Sequence, residues 1–292
     1  MKYEVAFDQI NEAKANMDGI YDQLDPRAYF RELRKLDYEI PGAAKPIILQ
    51  LIKHLQSLSD EPVHLLDIGS SYGVNSALIK YDLTLSELYA HWGQRALQHV
   101  SPEEIVEKDR CFFEELDVAQ DLKVIGLDVA ENAVAFGSQV GLLDEALAIN
   151  LENESLPRSF ARDLASVDLV MSTGCVGYIT EKTFERLLPA VSQGRRPWLA
   201  NFVLRLFPFD QIAESLAHKG YVTEKLEGQT FPQRKFATAY EQKQVLDQLR
   251  DRNIDTVGKE EEGRYLAEFY LSRPAGDVER LPIETLLAAK VT

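Results

Sequence analysis

The chain has 292 residues, 45% of them apolar and 27% charged, an ordinary balance for a soluble globular protein and enough for one large domain with additions rather than two full ones. Its formal net charge of −15, from 47 acidic against 32 basic residues, repels phosphate backbones and anionic surfaces, so nucleic-acid and membrane partners are disfavoured. Two cysteines, Cys111 and Cys175, exclude a disulfide framework and a thiolate-rich metal site, and five scattered histidines offer no pair at helical ligand spacing, so no metal is expected.

The N-terminal Met-Lys-Tyr-Glu-Val-Ala-Phe-Asp lacks the apolar stretch of a secretory signal, and no apolar run approaches the ~20 residues that span a bilayer. A cytoplasmic location is the expectation. Residues 21–40 are rich in tyrosine, arginine and aspartate and end at Pro41-Gly42, a natural break. Residues 1–44 are therefore expected to form an N-terminal helical cap on an α/β domain, 45–292. Apolar residues at helical spacing follow over 45–58, with Pro46 near the start.

Strand-like runs are expected at Val63 to Ile68, Lys123 to Leu127, Ala146 to Leu151, Val167 to Met171, Trp198 to Leu204, Tyr221 to Leu226 and Tyr265 to Leu271. Helical patterns at 131–140, 181–192 and 210–219 lie between them, and a polar extension, 227–263, carries one more at 237–252. Alternation of this kind predicts a doubly wound, mainly parallel seven-stranded sheet covered on both faces. Asp67 and Asp128, at the ends of the first two strands, are 61 residues apart, where a compact βαβ unit gives ~20. Residues 82–121 account for the excess and predict a helical insertion over the sheet edge or the ligand mouth, with Pro102 opening a charged helix to about Glu115.

The most informative stretch is His64-Leu-Leu-Asp-Ile-Gly-Ser-Ser-Tyr-Gly-Val-Asn75, a strand running into a glycine-bracketed turn and a helix. Such a turn makes a crevice at the carboxyl end of a sheet. Asp67 at its mouth repels a pyrophosphate and suits an ammonium or sulfonium. A dinucleotide fingerprint begun at Gly69 would need glycine at positions held by Ser71 and Val74, so it does not fit. The turn reads as a pocket for a cationic, nucleoside-like cofactor. Asp128, ending the second strand, is placed to accept ribose hydroxyls; Ala130 leaves room for a flat base, and Asn150 and Glu152 offer hydrogen bonds to its edge, with Leu151 against its face.

On these residues the chain resembles the class I S-adenosylmethionine-dependent methyltransferases. The matching pieces are Leu66 to Gly73, Val124 to Asp128 and Val167 to Gly174, within a likeness of element order over roughly residues 45–272. The family's Asp-x-Gly-x-Gly-x-Gly loop is met at Asp67, Gly69 and Gly73, while Ser71 stands in place of the middle glycine. The resemblance implies the fold, S-adenosylmethionine as cofactor and methyl transfer as the activity. It implies that Asp67, Gly69 and Gly73 hold the methionine part, Asp128 the ribose, and Asn150 and Leu151 the adenine. Ser172, Thr173 and Gly174 would line the pocket, with Ser70, Tyr72, Asn75 and Val129 as further contacts.

Methyl transfer is a displacement that alignment and water exclusion accelerate; a general base is needed mainly when the nucleophile must lose a proton. Thr173 to Tyr178 offers no carboxylate, histidine or lysine and lacks the Asp/Asn-Pro-Pro-Phe/Tyr pattern of amide methyltransferases. A small polar acceptor is expected, an amine or thioether bearing a carboxylate, with an O-methyltransferase or a non-catalytic cofactor-binding protein as the alternatives. Tyr29, Tyr38, Tyr178 and Arg205 are the candidates for its side of the site, Arg205 as a fork for the carboxylate. Cys175 reads as a small strand-end residue rather than a nucleophile. Residues 21–42 and 82–121 are together expected to cover the mouth. The residues leave the oligomeric state open.

Overall fold

A computed structural model describes residues 7–12, 14 and 18–288. Four helices precede the sheet: α1 Phe7–Asn11, α2 Asp18–Tyr21, α3 Arg27–Arg34 and α4 Ile40–Gln56. Then come β1 Val63–Ile68, α5 Val74–Lys80, α6 Leu85–Trp92, α7 Pro102–Glu114, β2 Leu122–Asp128, α8 Glu131–Gln139 and β3 Glu145–Ala148. The second half holds α9 Arg158–Ala161, β4 Leu169–Thr173, α10 Glu181–Val191, β5 Trp198–Leu204, α11 Asp210–His218 and β6 Tyr221–Lys225. It closes with β7 Phe231–Lys235, α12 Ala239–Asp251, β8 Arg264–Pro274, α13 Ala275–Arg280 and α14 Ile283–Ala288.

All the strands form one sheet in the order β3-β2-β1-β4-β5-β8-β6, with β7 also pairing β8. The pairs from β3 to β5 are parallel, and β8 runs antiparallel to each of its neighbours. This is the doubly wound, mainly parallel sheet that the sequence predicts, with one strand more than the seven expected. The extra strand is β7. β8 is long enough to pair β6 along Tyr270 to Pro274 and β7 along Arg264 to Ala267, so the two sit end to end on one edge. Pro232 is tolerated there because an edge strand need not donate every amide.

Burial follows the sequence pattern. β5 is buried along its whole length, as a strand with helices on both faces must be. Pro41-Gly42 is no break: α4 begins at Ile40, with Pro41 in its first turn, where a missing N–H costs nothing. α4 packs against α5 and β7 and leads directly into β1.

Of the two places expected for the insertion, the ligand mouth is not the one it takes. α6 packs on α3, and α7 on α8. Trp92 stacks on Phe30 at 4.3 Å, and the buried Asp109 accepts from Trp92 Nε1 at 2.8 Å and meets His91 Nε2 at 2.7 Å. Arg27, opening α3, donates to the carbonyls of Leu97 and Val100. Residues 82–121 thus brace α3 from outside, and none of them lines the cavity at the strand ends. No helix of the described residues is long and apolar enough to cross a membrane.

Candidate functional site

Parallel strands leave their carboxyl ends facing one way, and the strand order reverses beside β1, where β2 and β4 flank it on opposite sides. A cavity of about 700 Å³ occupies this place. The turn after β1 forms its floor, tied to β2 by the amides of Gly69 and Ser70 donating to Leu127 O at 2.7 and 3.3 Å. Gly69 has φ +73°, and a Cβ there would come within 3.0 Å of Cys175 Cβ, so both conformation and space select glycine. Ser71 adopts a left-handed φ of +48° despite its side chain. That conformation, costly for a residue other than glycine, is held by its amide donating to Asp128 Oδ2 at 2.8 Å.

Asp128 lines the cavity. Its Oδ1 accepts from the Ala130 amide at 3.0 Å. Burial raises its pKa above the usual carboxylate value, with the Ala130 and Ser71 amides opposing. A carboxylate has about four acceptor sites, so two amides leave capacity for a diol. Gly69, Ser71, Val129, Ala130, Asn150, Leu151, Thr173 and Gly174 line the same cavity. β3 ends at Ala148, earlier than expected, and this frees Ile149 to Leu151 to turn into the cavity wall.

Several expected contacts lie behind the wall. Asp67 is fully buried, and Asn75 Nδ2 donates to its two oxygens at 3.0 and 3.3 Å and to Thr173 Oγ1 at 3.1 Å. Burial pushes the Asp67 carboxyl up to about 7, with Asn75 opposing. Ser70, Tyr72 and Gly73 support the turn without lining the cavity, and the Tyr72 hydroxyl is tied to Gln23. Ser172 donates to Asn201 Oδ1 at 2.7 Å and is likewise absent from the wall. Glu152 is committed to the start of α10, accepting from the amides and hydroxyls of Thr180 and Thr183. Burial alone would raise its pKa, but these four bonds outweigh it and hold the pKa below its ordinary value.

On the acceptor side, Tyr29, Tyr38 and Tyr178 line the cavity. Tyr29 meets Tyr21, Tyr38 and Tyr72 edge to face, so the aromatic residues of the N-terminal segment are wall and core at once. Burial keeps the Tyr29 and Tyr38 phenols protonated far above neutral pH.

Arg205 does not reach the cavity. Its guanidinium pairs with Glu260 at 2.5 Å and with Glu268 at 3.4 Å, and donates to Asp255 O at 2.7 Å, all within a buried network. A guanidinium leaving β5 beside two carboxylates is neutralised by the protein itself and is not available to a substrate. The guanidinium in the cavity wall is that of Arg234 on β7, joined in a fork to Glu241 at 2.7 and 3.2 Å and lying over the Tyr265 ring.

Asn11, Lys14, Gln233 and Arg234 are wall residues that the sequence did not single out. Asn11 Nδ2 donates to Gly177 O at 2.7 Å, and Phe7 meets Phe207 edge to face, which seats α1 over the mouth. Gln233 lies over Gly174, where a Cβ would come within 2.5 Å of its Nε2. These residues come from segments with no apolar periodicity, so the only sequence signal was their polarity.

No protein-family model matches this chain, and no curated protein matches it by sequence. Solved structures do. The plantazolicin methyltransferase BpumL, in complex with a triazolic desmethylPZN analog and S-adenosylhomocysteine, is similar at 12% identity over 92% of this chain and 98% of that one, with a TM-score of 0.45. Phosphoethanolamine N-methyltransferase 2 from Haemonchus contortus is similar at 13% identity, covering 77% and 52%, with a TM-score of 0.37. A TehB-like methyltransferase from Corynebacterium glutamicum has 12% identity, 76% and 86% coverage, and a TM-score of 0.36.

Proposed function

We propose that this chain is an S-adenosylmethionine-dependent methyltransferase acting on a small polar amine. The observation that carries the reading is one cavity lined by Asp128, by Gly69 and Ser71 of the turn after β1, and by Lys14 and Arg234. Its volume of about 700 Å³ falls in the ~300–1,000 Å³ range of small-molecule pockets.

The residues fit the cofactor part by part. Ile149 and Leu151 supply apolar surface for a base, and Asp128 supplies acceptors for a ribose. Gly69 and Ser71 allow close approach of a chain, and Asp67 behind them, pushed up to about 7 by burial, is favoured as the carboxylate when a cation draws near. When bound, the cofactor supplies an electrophilic methyl group on a positively charged sulfur. The protein's part is to align the acceptor with it and exclude water, the latter through α1 and the tyrosines of residues 21–38.

With Arg205 engaged elsewhere, an acceptor carboxylate has lost its expected anchor, and Arg234 is already matched by Glu241. We therefore place the weight on the accepting nitrogen rather than on a carboxylate. The test is a screen of primary and secondary amines, thioethers and phenols for S-adenosylhomocysteine release. Turnover of amines is the expected result; turnover confined to thioethers or phenols would refute the acceptor class.

A further inference from the structure

We propose that Lys14 is the general base of this site, taking the proton that the acceptor nitrogen must lose before it attacks; the proposal rests on the methyltransferase reading. Lys14 enters the cavity from the segment after α1. Its Nζ lies 4.2 Å from the centroid of the Tyr178 ring and 5.5 Å from that of Phe207. Among the described residues it has no carboxylate partner: Glu241, the acid nearest in effect, is held by Arg234, the Tyr265 hydroxyl and the Ala237 amide. The Tyr178 face stabilises the ammonium in part, while burial away from water works against it.

The groups facing Lys14 agree. Burial is the main cause lowering its basicity; Arg234 on β7 lowers it further, while Glu241 on α12 and Cys175 after β4 oppose. The outcome is an amine titrating at about 7. A second cation, the sulfonium, arriving in the same cavity lowers it again, so the bound cofactor favours the free amine. Glu12, an exposed carboxylate, also lines the cavity, and the Cys175 thiol is unsuited. Burial pushes the Cys175 thiol up to about 12, and that thiol lies 3.3 Å from Ile68 O as a donor. No histidine lines the cavity.

The step balances. An acceptor arriving as an ammonium gives its proton to Lys14 Nζ. The freed lone pair forms the nitrogen–carbon bond while the carbon–sulfur bond breaks, its electron pair remaining on sulfur. Lys14 then passes the proton to solvent. A thioether has no such proton, so a base in the site argues against that acceptor type.

The experiment has a binding-state readout and a kinetic one. Competitive acetylation of the wild-type protein across pH, read peptide by peptide, gives the titration midpoint of each lysine with and without S-adenosylhomocysteine. A midpoint for Lys14 near 7 is expected, against ~10.4 for an ordinary lysine. In the amine assay, Lys14→Met is expected to lower kcat by about 10²–10⁴-fold with little change in KM, and added small amines are expected to restore part of it. Lys14→Arg keeps a cation over Tyr178 but cannot take the proton, and is expected to be as inactive as Lys14→Met. An ordinary midpoint, or an active Lys14→Arg, overturns the proposal. A midpoint near 7 in a protein that turns over no acceptor overturns the methyltransferase reading instead, and with it the role but not the state of Lys14.

Discussion

Arg205→Ala is expected to destabilise the fold by about 3–5 kcal/mol and to leave cofactor affinity unchanged. The reasoning is that Arg205 and Glu260 are both buried, with side-chain exposures of 5% and 2%. Removing the cation strands Glu260, whose pKa is already raised by burial with Arg205 opposing. Glu260 would then fold best as the neutral acid, which limits the loss. Pairing Arg205→Met with Glu260→Gln removes both charges and is expected to recover part of it. Urea denaturation reads the stability, and titration calorimetry with S-adenosylhomocysteine reads the site. A stable Arg205→Ala variant with impaired turnover would return Arg205 to the substrate.

The second large effect belongs to Asp128. Asp128→Ala is expected to weaken S-adenosylhomocysteine binding by about 1–3 kcal/mol, roughly 5- to 150-fold, through lost charge-assisted hydrogen bonds to the ribose. Because the same carboxylate holds the Ser71 amide at 2.8 Å, part of the loss comes through the turn. Asp128→Ala combined with Ser71→Gly separates the two, since glycine takes φ +48° without the cost that serine bears. Unchanged affinity in a folded Asp128→Ala variant would remove the ribose assignment.

The fold was legible wherever burial imposes a pattern. A strand flanked by helices must be apolar throughout, and β1, β2, β4 and β5 were found on that ground to within about two residues. The turn was legible because its chemistry is local: an acid, two glycines at positive φ and a helix start lie within eleven residues, Asp67 to Ala77. β7 was not, because Phe-Pro-Gln-Arg-Lys on an edge has neither alternation nor an apolar run, and its pairing is set by the excess length of β8. Arg205 was misplaced for a related reason. Leaving a strand end fixes where a backbone lies but not where its side chain points, and the nearby carboxylates come from Glu260 and Glu268, 55 and 63 residues later. The insertion was recognised as helical from its spacing, whereas its role as a brace depends on Trp92 meeting Phe30 and Asp109, contacts that no local pattern encodes.

The most direct test of the central claim is a crystal structure of the protein soaked or grown with S-adenosylhomocysteine. The ribose hydroxyls are predicted on Asp128, the adenine against Ile149 and Leu151, and the sulfur beside Gly69 and Cys175 with Lys14 on its open side. Density for the molecule elsewhere, or an empty cavity at a saturating concentration, would contradict the account.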